Sequence, residues 1–152
     1  VNSCETDNLG TERTMATLHV CTSCRPKGMS REPAEDLPGY QLHEALAQAV
    51  AASPLREEVR VQPVQCMSLC PRPCAIAFSA PGRWSYLFGD QVAASAIHDV
   101  LTCLRLYIDE AYGALPRKQR PESLQSSILG RIPPVDPADL ASDAHSRTGS
   151  RP

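Results

Sequence analysis

The amino-acid sequence predicts a mixed α/β domain in which strands and helices follow one another in the order β-α-β-β-β-α, with disordered or loosely docked tails. Three observations support this fold class: a compact apolar segment at residues 16–21, two segments with apolar residues at helical spacing, and two short apolar strands on either side of a proline-glycine turn. We expect a flexible extension at residues 1–14, one domain at 15–112 and a proline-rich tail at 113–152.

The first strand and the first helix are separated by a long loop. Residues 16–21 are typical of a buried strand that ends at Cys21. Prolines and glycines interrupt residues 25–39, which favours a loop. Between Tyr40 and Ala52 the apolar residues recur every three or four positions, so we expect a helix with one face on the sheet.

The next three strands are shorter. Valines at 59, 61 and 64 predict a second strand that ends near Cys66, and Pro63 removes one backbone donor, which favours the edge of the sheet. Residues 74–79 and 83–88 flank Ala80-Pro81-Gly82, the pattern of an antiparallel hairpin. Three aromatic side chains alternate along its second strand, and we expect them to share one face and pack in the core: Trp84, Tyr86 and Phe88.

The longest helix is predicted at residues 92–112, with Asp90 as its N-cap. Its expected apolar stripe consists of Ala93, Ile97, Val100, Leu104, Ile108 and Ala111. Beyond Gly113 the density of proline and polar residues is that of a tail, because such a segment buries too little apolar area to offset its ordering entropy. Within it, four apolar residues are candidates for a short helix or a docking strip: Leu124, Ile128, Leu129 and Ile132.

Composition and charge exclude several functional classes. Basic and acidic residues nearly balance, at 15 and 17, and only 5% of the residues are aromatic, so we expect no nucleic-acid partner. No segment approaches the roughly 18–20 consecutive apolar residues that span a bilayer, and the first residues lack a signal-peptide pattern. We therefore expect a cytoplasmic protein without a membrane partner.

Seven cysteines in a protein of a reducing compartment favour metal ligation over disulfide bonds. Cys21 and Cys24 follow the first strand, and Cys66 and Cys70 follow the second. If these strands are parallel neighbours joined by the first helix, both turns leave the same edge of the sheet and the four thiolates converge. The sequence therefore predicts a metal centre held by these four cysteines.

The identity of the fourth ligand and of the metal stays open on spacing alone. Cys74 is the substitute for Cys24, and His19 or His43 is a third candidate, since imidazole replaces thiolate in some clusters. Thiolates satisfy both tetrahedral zinc and iron–sulfur clusters. Cys103 lies among the apolar residues of the long helix, where we expect a buried structural thiol.

Basic residues flank the cysteine turns at Arg25, Lys27, Arg31 and Arg72. Their charge would offset that of a centre with four thiolates and lower the thiolate pKa values. The alternative is that these basic residues only belong to solvated loops and have no role at a metal centre.

Three of these cysteines resemble a known pattern. In the thioredoxin-like [2Fe–2S] ferredoxins one cysteine closes the first strand and a Cys-x-x-x-Cys follows the second, as Cys21, Cys66 and Cys70 do here. The similarity covers about residues 16–112 and includes the aromatic strand after Gly82. It implies a thioredoxin-like fold, a [2Fe–2S] cluster, one-electron transfer to a redox partner protein, and a homodimer. The family places its second cysteine about a dozen residues after the first. Here the only candidate for that ligand is Cys24, which follows Cys21 directly in the same turn.

The sequence resembles a second family more closely, an uncharacterised bacterial family described only as metal-binding. Three segments carry this similarity: Cys21 to Arg25, Cys66 to Cys70, and Trp84 to Gly89. Genes of that family often lie beside cobalamin or metal-handling genes, so the resemblance implies a link to metal handling.

Our leading hypothesis is an electron carrier and not an enzyme, because no phosphate-binding glycine loop, nucleophile elbow or helical His-Glu-x-x-His is present. Two alternatives remain. The first is a zinc-binding structural or metal-delivery module. The second is a dithiol oxidoreductase that uses Cys21 and Cys24. A reactive dithiol needs a helix N-terminus to lower its thiol pKa, whereas a proline-rich loop follows this pair, which argues against the alternative.

Overall fold

The computed structural model describes residues 15–135, which form a mixed α/β domain. The elements are, in chain order, β1 (Ala16–Cys21), α1 (Pro38–Ala51), β2 (Val59–Val64), β3 (Ile76–Ser79), β4 (Ser85–Phe88), α2 (Ala93–Asp109), α3 (Glu122–Ser126) and β5 (Ile128–Ile132). Short 3-10 turns lie at Ala34–Asp36, Pro54–Glu57 and Arg117–Gln119. The predicted fold class is confirmed, and its six predicted elements are the first six of this series.

The five strands form one sheet in the order β2-β1-β3-β4-β5. β1 and β2 are parallel, with Cys21 opposite Val64, and the remaining neighbours are antiparallel. The parallel pair confirms the arrangement on which the cysteine argument depends. β2 is an edge strand, as Pro63 predicted, because a residue without an N–H leaves a central ladder incomplete.

The core is centred on four aromatic side chains that are 0–1% exposed and contact one another: Phe78, Tyr86, Phe88 and Tyr107. The hydroxyl group of Tyr107 donates to the Trp84 carbonyl at 2.6 Å, so this buried polar atom is satisfied. The shared aromatic face of β4 is thus confirmed for Tyr86 and Phe88. Trp84 is only half-buried, and the guanidinium group of Arg131 covers its ring at 4.4 Å.

The two long helices bury apolar stripes against the rest of the domain. α1 packs on β1 and β2 through Leu42, Leu46 and Val50. α2 packs against α1 and α3, and its fully buried residues are Ala96, Val100, Cys103, Leu104 and Tyr107. The predicted stripe was therefore correct at Val100 and Leu104. Ala93, Ile97 and Ile108 lie at the margin of the buried face, and Ala111 was wrong, because it follows the end of the helix and is exposed.

The ends of α2 differ from the prediction. The N-cap position is Val92, while Asp90 has a φ of 56° and pairs with Arg72. Its backbone N–H donates to the Arg72 carbonyl at 3.0 Å, which ties this residue to the loop before β3 and removes it from the helix start. At the other end Arg83 donates to the carbonyls of Tyr107, Ile108 and Glu110, so the helix ends at Asp109 and not at residue 112.

The segment after Gly113 requires a correction. The composition predicts a tail over residues 113–152, whereas residues 113–135 add α3 and β5 to the domain. Leu115 and Leu124 are buried, at 4% and 0% exposure, and β5 pairs with β4. A segment with few apolar residues can dock in this way because the core and the strand edge that receive it already exist. Residues 1–14 and 136–152, with the predicted extension and the end of the predicted tail, lie outside the described residues.

Among the described residues, no helix has both the length and the apolar character that crossing a bilayer requires.

Candidate metal centre

The two cysteine-bearing segments leave the sheet at the same edge. The N–H of Thr22 donates to the Val64 carbonyl at 2.8 Å, which extends the parallel pairing past the end of β1. The N–H of Cys21 donates to the Ala75 carbonyl at 3.0 Å, which holds the segment before β3 against the same turn. The turn after β1, the loop after β2 and the entry to β3 therefore meet at one place, as the parallel arrangement predicted.

The first turn is rigidly packed. Cys21 and Cys24 are 2% and 3% exposed, and the N–H of Gly39 donates to the Cys24 carbonyl at 2.9 Å. A Cβ atom on Gly39 would lie 2.2 Å from the Cys21 carbonyl oxygen, so only glycine allows the start of α1 to approach this closely. Gly39 was not among the predicted site residues; the signal in the sequence is a glycine directly after Pro38 and just before the predicted helix.

Three buried thiols are neighbours, with Cys24 next to both Cys21 and Cys74. The hydrogen bond with Cys24, followed by burial, raises the pKa of the Cys21 thiol. For Cys24 the hydrogen bond with Cys21 lowers the pKa, but the hydrogen bond with Cys74 and burial outweigh it, so this pKa is raised too. The hydrogen bond with Cys24 lowers the pKa of Cys74, whose sulfur also lies 3.9 Å from the Cys24 carbonyl oxygen.

Backbone N–H groups are directed at three of the sulfur atoms. The N–H of Met67 donates to Cys21 and lowers its pKa, and the N–H of Ala75 does the same at Cys24. The N–H of Ser68 lies 3.4 Å from the sulfur of Cys66. Such donors stabilise thiolates and tune the potential of iron–sulfur clusters, so the donor set fits a thiolate-bound centre.

The second pair of predicted ligands lies at the surface. Cys66 and Cys70 are both exposed in the loop between β2 and β3. Within residues 15–135, no three side chains of His, Cys, Asp or Glu are grouped so that they could hold a metal ion. The structure thus places Cys24 beside Cys21 and Cys74, while Cys66 and Cys70 lie on the adjoining loop on either side of Met67.

A positively charged cleft of about 580 Å³ separates the two cysteine-bearing loops. Its lining comprises Ser23, Arg25, Pro26, Lys27, Gly28, Arg31, Cys70, Pro71 and Pro73. Arg25 donates to the carbonyls of Met29 and Ser23, and the ion pairs of the described residues include none of the three cations of this cleft. Arg72, the fourth basic residue expected here, pairs instead with Asp90.

The other candidate residues lie away from this place. His19 sits within β1, where its ring nitrogen Nε2 contacts the Ser79 hydroxyl at 2.7 Å, and burial lowers its pKa. His43 contacts Glu44 on α1 at 3.3 Å. Cys103 is fully buried in α2, as expected for a structural thiol, and burial raises its pKa to about 12.

The start of α1 also bears on the dithiol alternative. The loop after Cys24 returns so that the N-terminus of α1 does reach the Cys21–Cys24 turn, contrary to our argument from the sequence. The pKa values of both thiols are nevertheless raised. A dithiol nucleophile needs a lowered thiol pKa, so the local electrostatics oppose this alternative.

Comparisons with known proteins give a family and a fold. Residues 18–134 match the family described as Protein of unknown function (DUF1636), and the chain belongs to that family. No protein with a curated function matches it significantly.

Two solved structures of a thioredoxin-like [2Fe-2S] ferredoxin from Aquifex aeolicus resemble the domain. The first has a TM-score of 0.52 at 14% identity and covers 81% of this chain and 98% of the ferredoxin. The second has a TM-score of 0.51 at 15% identity and covers 77% and 98%. At this identity the comparison shows the fold, which is that of the thioredoxin-like ferredoxins.

Proposed function

We propose that the protein carries a [2Fe–2S] cluster on Cys21, Cys24, Cys66 and Cys70 and exchanges single electrons with a partner protein. The observation that carries this proposal is the meeting of two cysteine-bearing loops at one sheet edge, where backbone N–H groups are directed at three of the sulfur atoms. The two similar structures are of a [2Fe-2S] ferredoxin, which supports iron over zinc.

The residues of this chain would have distinct roles. The Cys21–Cys24 turn supplies two fixed ligands, and the loop after β2 supplies Cys66 and Cys70 from the surface. Cys74 is the substitute for Cys24, because the two thiols already contact each other. When bound, a [2Fe–2S] cluster accepts and releases one electron.

Proton release accompanies ligand binding. Thiols ligate as thiolates, so the raised pKa of Cys21 means that a proton must leave its sulfur when the centre assembles. The N–H groups of Met67 and Ala75 then remain as donors to the charged sulfurs. The basic side chains of the cleft offset part of the added negative charge. We expect an acidic redox partner to dock on this positively charged cleft.

The test is purification of the full chain without oxygen, followed by an absorption spectrum and by iron, sulfide and zinc analysis. We expect a red-brown protein with equal amounts of iron and sulfide. Cys66→Ser should lose both, whereas Cys103→Ala, a matched change of a cysteine far from the loops, should keep both.

Other outcomes identify the alternatives. A colourless protein with one equivalent of zinc would contradict the electron-carrier proposal and favour the zinc module. Dithiol reductase activity that survives replacement of Cys66 and Cys70 together would favour the oxidoreductase, since that activity needs only Cys21 and Cys24.

A further inference from the structure

A second charged cavity lies where the segment after α2 closes on β4 and β5. It has a volume of about 330 Å³, and three arginines contribute to its lining: Arg117, Arg120 and Arg131. We propose that this cavity binds the carboxylate or phosphate group of a small molecule. The proposal is independent of the cysteines, which follow β1 and β2.

Arg120 is the main evidence. It is 9% exposed, and its Nη1 donates to the Leu124 carbonyl at 3.2 Å. Its Nε is buried and has no hydrogen-bond partner within residues 15–135. A buried guanidinium group without a counter-charge is costly, so the site gains stability from an anion that accepts its remaining N–H bonds.

The described acidic side chains do not fill this role. Asp99 lies near enough to influence Cys103 together with Arg120, but its carboxylate accepts from the Ser123 hydroxyl at 2.6 Å and forms no ion pair with Arg120. The half-buried arginines all have partners for their guanidinium groups: Arg105 reaches Glu58 at 2.7 Å, and Arg25 and Arg83 donate to backbone carbonyls. Within residues 15–135, Arg120 is the exception because its side chain holds a buried nitrogen without a hydrogen-bond partner.

The two other arginines add to the positive charge. Arg131 is stacked on Trp84 at 4.4 Å, which fixes its guanidinium group without neutralising it. Arg117 precedes Arg120 by one 3-10 turn, and its carbonyl accepts the N–H of Arg120 at 3.2 Å. Neither has a carboxylate oxygen within 4.0 Å among the described residues. Guanidinium groups suit planar oxyanions because they donate two parallel N–H bonds.

The remaining lining suggests the rest of the ligand. Ala114, Leu115, Pro116 and Ile128 present apolar surface, so a small apolar body fits beside the charged group. The Tyr86 hydroxyl accepts the N–H of Leu115 at 2.9 Å, and its own proton is left for a ligand oxygen.

The experiment titrates the full chain with inorganic phosphate and, separately, with acetate, at constant ionic strength set by chloride, and measures heat. We expect saturable binding of at least one probe, and the stronger probe distinguishes a phosphate from a carboxylate. Arg117→Gln and Arg131→Gln should each weaken it about tenfold, the effect of one charge-assisted contact. Arg60→Gln, on β2 at the opposite edge of the sheet, is the control and should change nothing.

Arg120→Lys keeps the positive charge but loses the parallel N–H donors of the guanidinium group. It should weaken anion binding more than Arg117→Gln or Arg131→Gln, and circular dichroism checks that the variant is folded. Failure of both probes to bind, or equal effects of Arg117→Gln and Arg60→Gln, would overturn the proposal.

A third variant replaces Asp136, Asp139 and Asp143 with asparagine. If only that variant binds the probes, the occupant is a carboxylate of the chain itself, and the small-molecule proposal is wrong.

Discussion

The two cysteine-bearing segments differ in how far the protein builds them in advance. The Cys21–Cys24 turn is buried, touches the start of α1 and contacts the third thiol, Cys74. The loop with Cys66 and Cys70 is exposed, and its described ties to the turn are hydrogen bonds such as that of the Met67 N–H. One segment is fixed by packing, and the other is held in place by a few hydrogen bonds.

This difference has an energetic consequence. Packing against a helix start resists displacement, because any movement opens a cavity or breaks a buried hydrogen bond. An exposed loop changes conformation at little cost. We therefore expect binding of a cluster to organise the loop around the fixed turn and to leave the turn itself unchanged.

Replacing one ligand from each segment gives the largest expected effect. Cys21→Ser and Cys70→Ser should both abolish iron binding under the proposed function, because each removes a thiolate. Their effects on the metal-free protein should differ: Cys21→Ser places a hydroxyl in a buried position and should lower the free energy of unfolding by about 1–3 kcal/mol, while Cys70→Ser should leave it unchanged. Urea unfolding of the two variants after chelation measures both free energies of unfolding. Equal losses of stability would refute the contrast between a packed turn and an exposed loop.

Gly39→Ala tests the packing of the turn directly. The added methyl group would lie 2.2 Å from the Cys21 carbonyl oxygen, a backbone atom that cannot move aside alone. We expect a loss of about 3 kcal/mol in the free energy of unfolding. Gly130→Ala is the matched control, since a Cβ atom there meets nothing within 4 Å. A Gly39→Ala protein as stable as the control would show that the turn is not rigidly packed.

The buried thiols should make the metal-free protein sensitive to alkali. Burial raises the pKa of Cys103 to about 12, and the pKa of Cys21 is raised as well. The folded state thus holds these protons more tightly than the unfolded chain, whose thiols titrate near about 8.5. The stabilisation is complete below that pH and falls as pH rises toward the folded pKa values, by about 1.4 kcal/mol per pH unit for each thiol.

Urea unfolding under reducing conditions, at a series of pH values from about 8 to about 10, measures this slope. Cys103→Ala should remove its own contribution, leave those of Cys21 and Cys24, and give a shallower profile. A free energy of unfolding that does not change over this range would contradict the raised pKa values of these thiols.

Most of the fold could be predicted from the sequence, because periodicity and turn residues identify β1 through α2 one at a time. α3 and β5 could not, since they depend on a core that other segments build. The same limit applies to the site. The Cys21, Cys66 and Cys70 positions follow from strand ends, but the contact between Cys24 and Cys74 arises from the path of the backbone before β3, which residue type does not reveal.

The arginine cavity was missed for a related reason. Arg117, Arg120 and Arg131 lie in a segment whose average composition is that of a tail, and arginine is rarely buried. No local pattern marks Arg120 as the arginine that is buried and donates to the Leu124 carbonyl. The hydrogen bonds from Met67 and Ser68 to sulfur were equally invisible, because they depend on backbone direction and not on side-chain chemistry.

The smallest expected effect concerns the charged cleft between the two segments. With the cluster-loaded protein, the triple change Arg25→Gln, Lys27→Gln and Arg31→Gln should slow oxidation by ferricyanide, an anion, about tenfold at an ionic strength of about 0.01 M. Oxidation by the hexaamminecobalt(III) cation should become faster. Both rates follow from the bleaching of the visible absorbance in a stopped-flow experiment.

A control triple separates the local field of the cleft from net charge. Arg56→Gln, Arg60→Gln and Lys118→Gln remove the same charge from exposed positions outside the cleft lining. They should change both rates by less, because the Coulomb energy falls with distance from the cleft. The Debye length shrinks from near 30 Å at this ionic strength to near 8 Å at about 0.15 M, so salt weakens the effect of both triples. Raising the salt should therefore abolish the difference between the two triples. If the triples are equivalent at low salt, electrons do not leave through the side where Cys70 borders the cleft, and an acidic partner would have to dock elsewhere.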